Sequence, residues 1–179
     1  MKKSQILRPL LMLFILCGGP LGLADENEGL DESLNRALAT LSQAVIGKPG
    51  KIAVLDFPSL EGKLTGLSTF ITNRSINVWI NQGREIVDRA ALNHILTEQK
   101  LQQSALMDAA TAVKVGKLAG AKYFLVGNYA RLPRNLNLTL RILSVETGQF
   151  VSVQELAVPM SSENMATTTA LIQMKGMAF

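Results

Sequence analysis

The chain has 179 residues, 47% of them hydrophobic, with 18 Lys and Arg against 14 Asp and Glu, one cysteine and one histidine. That is enough apolar material for one sizeable core without disulfide staples. One histidine and one cysteine cannot make a zinc site of the usual Cys/His kind.

Residues 1–24 read as a secretory signal peptide. Lys2, Lys3 and Arg8 give a positive start, Leu10 to Leu16 is an unbroken apolar run, and Gly22-Leu23-Ala24 supplies small residues where a signal peptidase inspects the chain. The run is shorter than the roughly 20 residues that span a bilayer. Cleavage after Ala24 is the favoured expectation. The alternative is lipidation of Cys17 and attachment to the outer membrane, although Leu16 is a poor residue to precede a lipidated cysteine. Three of the 18 basic residues and none of the 14 acidic ones lie in this segment, so the net charge of the exported part falls from +4 to +1. The basic pI therefore belongs to the leader, and no nucleic-acid partner is expected. A cysteine-free exported part suits an oxidising periplasm.

Residues 25–50 are expected to form an N-terminal helix and a linker. Leu30, Leu34, Leu38, Leu41 and Val45 make an apolar stripe, Asp31 and Glu32 favour the positive helix start, and Gly47, Pro49 and Gly50 end it. Ile52 to Phe57 then reads as a strand closed by Pro58. Asp56 lies at the strand end where α/β sites form, and could serve as a ligand or acid. Pairing with an arginine, or capping of the next turn, is the preferred reading. The loop from Ser59 to Gly66 contains Gly62-Lys63, but no Ser or Thr follows directly and no glycine stands five residues before Gly62, so the phosphate-loop signature fails. Thr65 can cap a helix in which Leu67, Phe70, Ile71, Arg74 and Val78 follow helical spacing, with Trp79 anchoring the core.

The stretch from Arg84 to Asn128 is the organising centre. Glu85 to Val87 is β-prone, and Asp88 is placed to cap a helix, with Val87 and Leu92 at the spacing of a hydrophobic staple. Leu92, Ile95, Leu96 and Gln99 share one side of that helix. Asp108 is expected to cap a second helix, Ala109 to Ala119, whose small residues Ala109, Ala112, Gly116 and Ala119 permit close approach to a sheet. Gly120 is a natural left-handed stop, and Ala121 to Gly127 reads as a strand buried on both faces.

Beyond it, Leu136, Leu138, Leu140 and Ile142 alternate with polar residues, as in a strand with one wet face. Turns are expected at Pro133-Arg134-Asn135 and Glu146-Thr147-Gly148-Gln149, the second leading into a strand from Phe150 to Val158. Residues 161–179 form a tail that can close the chain as a final helix capped by Ser161 or Ser162, although Thr167, Thr168 and Thr169 are poor helix formers. Met160, Met165, Met174 and Met177 read as core filler. The expected fold is α/β: a mixed sheet of parallel strands joined by helices, followed by an antiparallel meander, packed with helices over residues 51–160.

Chemistry is sparse in this pattern. His94 falls on the polar side of its helix with no second ligand and no nucleophile at a recognisable spacing. Asp88 and Glu98 stand about 15 Å apart along one helix, too far for paired acid/base work. No catalytic residue, cofactor or metal is expected.

The segments IAVLDF, VDRAALNHILTEQKLQQSALMD, AVKVGKLAGAKYFLVGNY and LRILSVETGQ together resemble the FlgO/CsgG family of bacterial envelope proteins. Arg89, Leu92, Glu98, Gln99, Gly116, Gly120, Ala121, Glu146, Thr147 and Gly148 carry the likeness, with Asp56 and Asp88 in the same segments, over roughly residues 51–153. The resemblance implies a fold similar to the TolB N-terminal or anticodon-binding domains. It also implies non-catalytic work through contacts with envelope proteins: flagellar assembly, a secretion apparatus, or activation of cell-wall synthases by a lipoprotein. Oligomerisation fits that family. The residues named are then structural or form a partner surface. Assembly or scaffolding is the leading expectation, and a small-ligand or nucleotide site near Asp56 and the Gly62–Gly66 loop is the rival. A pore is not expected, because no pair of strand-length alternating segments is left over to build a barrel wall.

Overall fold

The computed structural model describes residues 29–99, 109–160 and 162–174. The expected leader, Cys17 and Asp108 lie outside them. The order of elements is α1 (Leu30–Gln43), β1 (Lys51–Val54), α2 (Gly66–Asn81), α3 (Arg89–Glu98), α4 (Ala109–Leu118), β2 (Ala121–Arg131), β3 (Asn135–Ser144), β4 (Phe150–Pro159) and α5 (Ser162–Gln173). The four strands form one sheet in the order β1-β2-β3-β4. β1 runs parallel to β2, and β2, β3 and β4 form an antiparallel meander. This is the mixed α/β sheet that the alternation and the helix–strand joins predict.

Strand alternation sends successive side chains to opposite faces, and each face has its own core. On one face Leu136, Leu138, Leu140 and Ile142 of β3 and Leu125 and Tyr129 of β2 meet the apolar stripe of α1, including Leu34, Leu38 and Leu41, and the buried side of α2. The other face carries Phe124 of β2 and Leu143 at the end of β3, under Leu92 and Leu96 of α3 and Ala112 and Val115 of α4. α1 packs on β4 as well as on α2, so the helix expected ahead of the domain is part of its core. Trp79 is fully buried there, and its indole N–H donates to the Leu38 carbonyl at 3.3 Å. Arg74, placed by spacing on the apolar stripe of α2, instead reaches α1 and bonds Asp31 at 2.7 Å and Asn35 at 2.8 Å.

Three local expectations are revised. Glu85 to Val87 does not extend into a strand. It makes one parallel bridge, Ile86 to Ile52, because Asp88 turns the chain into α3 immediately afterwards. Regular pairing of the first strand stops at Val54. Leu55 still donates to the Leu125 carbonyl, and the backbone then leaves β2 and rejoins it at Ser59, opposite Tyr129. Met174 is not core filler: it stands half-exposed at the end of α5, where its carbonyl accepts from Gly66 N–H. Met160 does pack against the core, and the side chains of Met165 and Met177 lie outside the described set.

The staple and cap of α3 form as read. Asp88 Oδ1 accepts from Ala91 N–H at 2.9 Å, and Val87 and Leu92 are both buried in one cluster. Asp88→Ala is expected to cost about 1 kcal/mol, the usual loss for an N-cap. Urea unfolding should show a lower midpoint with an unchanged slope.

Candidate functional site

Asp56 is almost completely buried just past β1. Its carboxylate accepts from Arg89 Nη2 at 2.8 Å and from Thr72 Oγ1 at 3.3 Å. The end of β1, the first turn of α3 and the middle of α2 therefore meet at one charge-assisted node. Of the readings open for Asp56, the pairing with an arginine is the one the geometry displays. The crevice around the pair, edged by Leu55, Leu92, Asn93 and Leu96, has no interior volume for a water molecule. The nearby Gly62-Lys63 loop closes on itself, with Ser59 N–H donating to the Lys63 carbonyl and Gly62 N–H to the Ser59 carbonyl. Lys63 pairs with Glu61 in solvent. Neither feature offers a cradle for a ligand. Asp56→Ala leaves Arg89 without its carboxylate, and a loss of about 2 kcal/mol in unfolding free energy is expected, the range for a hydrogen bond to a charged group. Arg89→Ala should cost more, because it strands the nearly buried Asp56 carboxylate with only Thr72, whereas the Arg89 guanidinium already reaches solvent. Thermal unfolding of the two variants checks that order.

The remaining motif residues spread over two regions. Leu92 is buried under α3, whereas Glu98 is exposed on its outer side near His94, 3.5 Å away, and Gln99 caps the helix end. Gly116 of α4 lies directly on the sheet: a Cβ there would stand 2.5 Å from Val145 and 2.8 Å from the Phe124 ring. Gly120 (φ 65°) ends α4 in the left-handed region, one residue before Ala121 opens β2 beside Lys51. The turn joining β3 to β4 is held by Ser144, whose Oγ accepts from Thr147 N–H at 3.3 Å, and by Gly148 at φ 68°. Leu92, Gly116, Gly120, Ala121 and Gly148 thus set close packing and chain reversal, while Glu98 and Thr147 face solvent. These residues do not converge on one cleft.

A concavity among the described residues lies elsewhere. α3 and α4 cover the start of β2 and the end of β3, and among the described residues no helix covers the rest of that face. A groove of about 360 Å³ crosses it, lined by Leu60, Asn128, Ala130, Asn137, Thr139 and Glu155 among others. Asn128 of β2, Thr139 of β3 and Glu155 of β4 are register partners in one transverse row. Reading the wet face of β3 only as solvated overlooked this grouping. The available signal was Asn128, a polar residue following an otherwise apolar strand, together with the repeated asparagines at 135 and 137.

Comparison with protein families gives a match of residues 84–137 to the family described as curli production assembly/transport component CsgG. The match is narrower than the 51–153 stretch over which the likeness was expected: it takes in α3, α4 and β2 and omits Asp56, Thr147 and Gly148. A comparison with curated protein sequences found no match. Among solved structures, the LpoB C-terminal domain from Salmonella enterica is similar at TM-score 0.59 and 19% identity, over 70% of this chain and 94% of that one. An NMR structure of E. coli LpoB aligns at TM-score 0.56 and 17% identity, over 88% of this chain and 86% of its own. The lipoprotein GNA1162 from Neisseria meningitidis aligns at TM-score 0.52 and 13% identity, over 70% and 96%. The chain therefore shares the fold of these domains and is CsgG-like across its central segment.

Proposed function

We propose that this chain is an exported, non-catalytic protein of the bacterial cell envelope that acts through protein contacts, as a lipoprotein-like activator of cell-wall synthases. The observation that carries the reading is the fold shared with LpoB C-terminal domains along nearly their whole length. That likeness, with the one to a neisserial lipoprotein, supports the third of the three roles implied by the family resemblance over flagellar or secretion assembly. The position of Asp56 agrees with a non-catalytic role: this acidic side chain just past β1 is committed to Arg89. Export through residues 1–24, with lipidation of Cys17 as the alternative route, places the protein in the periplasm or on the inner side of the outer membrane. A second reading, a FlgO- or CsgG-type part of a flagellar or curli-secretion apparatus, draws on the match to residues 84–137.

Tagged full-length chain, recovered from native envelopes under mild detergent, is expected to bring a cell-wall synthase with it. Added to that synthase, it should raise the rate of glycan polymerisation or cross-linking. Recovery of flagellar or secretion components in place of a synthase supports the second reading. Repeated recovery of the chain alone overturns both.

A further inference from the structure

The groove beyond α3 and α4 holds polar groups that the described residues leave unused. Among the described residues, the side chains of Asn128, Asn137, Thr139 and Glu155 make no hydrogen bond or ion pair, and Asn137 Oδ1 is shielded from solvent without a partner. Unpaired polar atoms of this kind are uncommon in native proteins, and each asks for a reason. The cation nearest to Glu155 by register is Arg141, which is drawn away and lies 5.6 Å over the Phe150 ring. Glu155 therefore presents an uncompensated carboxylate at one end of the groove. At the other end stands Leu60, held beside β2 by a bond from its N–H to the Tyr129 carbonyl and 61% exposed.

Between those ends lie the Asn128 amide and the Thr139 hydroxyl, each able to donate and to accept, and the Asn137 NH2, which can donate. The row from β2 to β4 spans two strand spacings, about 10 Å, which is the length of about three extended residues. Among the described residues no aromatic side chain lines the groove, so a sugar ring finds no platform for stacking there, and an anion would meet the Glu155 carboxylate. We infer that this groove binds an extended segment of a protein partner, with an apolar side chain against Leu60, its peptide groups on Asn128, Asn137 and Thr139, and a Lys or Arg on Glu155. The inference rests on the reading of the chain as a protein that works through protein contacts, and it names the surface and the chemistry of the partner.

The test is an NMR titration of the full chain with the peptide acetyl-Leu-Gly-Gly-Lys-amide. Saturable shifts of the Asn128 and Asn137 side-chain amide signals are expected. Glu155→Gln should weaken binding about tenfold, the loss of one hydrogen bond to a charged group. Its melting temperature should stay unchanged, because Glu155 has no partner to lose. The matched peptide ending in Glu in place of Lys should leave the amide signals unmoved. Equal binding of both peptides, no shift at the two asparagines, or a preference for chitotriose over the Lys peptide each overturns the inference. If the peptide fails while a synthase still copurifies, only the groove assignment falls; if the peptide binds and no envelope partner is recovered, only the activator reading falls.

Discussion

Trp79→Ala should lower the unfolding free energy by about 3–5 kcal/mol, the range for removing a fully buried large aromatic side chain. The indole is enclosed between α1 and α2, where Leu38 and Leu41 are also without exposure. Its loss removes both a large apolar contact and the bond to the Leu38 carbonyl. Domains of this size hold only about 5–15 kcal/mol in total, so the melting temperature should fall on the order of 10 °C. Trp79→Phe separates the two contributions. It keeps a buried aromatic ring and gives up the N–H donor with part of the indole volume, so a smaller loss of about 1–2 kcal/mol is expected. If Trp79→Phe costs as much as Trp79→Ala, the hydrogen bond rather than the packing joins the two helices. Denaturant unfolding of both variants decides the point.

Gly127→Ala is the second substitution with a large expected effect. Gly127 sits in β2 opposite Leu140, and a Cβ there would collide with the Thr139 carbonyl oxygen and stand 2.7 Å from the Phe57 ring. A side chain could yield by rotation, but a carbonyl inside a paired strand cannot move without breaking the β2–β3 ladder. Overpacking of this kind typically costs up to about 3 kcal/mol, against a gain of at most about 1 kcal/mol from replacing glycine within a strand. A net loss of about 2 kcal/mol or more is expected from thermal unfolding. Adding Phe57→Leu should recover only part of it, since the clash with the backbone oxygen remains; full recovery would show that the ring alone sets the limit. Phe57 also precedes the segment that returns to β2 at Ser59 and Tyr129 and places Leu60 at the groove. The same substitution should therefore weaken peptide binding there.

The packing of Gly127 against Phe57 illustrates what sequence reading misses. The run from Ala121 to Gly127 reads as a buried strand ending at glycine, whereas β2 continues to Arg131, and the glycine marks a close crossing by another part of the chain. The arginine expected beside Asp56 is Arg89, 33 residues later, and no local periodicity identifies it. The groove brings together Leu60, Asn128, Asn137 and Glu155 from three strands and a loop, so no motif in the linear order could announce it.

From the sequence alone came the features that depend on neighbours within a few residues. These are the stripe of α1, the cap and staple of α3, the left-handed stop at Gly120, the alternation of β3 and the turn at residues 146–149, together with the α/β class that their order implies. Helical and strand periods and backbone sterics act over short distances, so they are written in adjacent residues. Only the tertiary structure decided that α1 packs on β4, that Asp56 is committed to Arg89, and that α3 and α4 cover the start of β2 and the end of β3 with a groove beyond them. Those outcomes depend on which apolar faces bury each other across long stretches of chain, and hydrophobic attraction has no direction of its own to record in the local pattern.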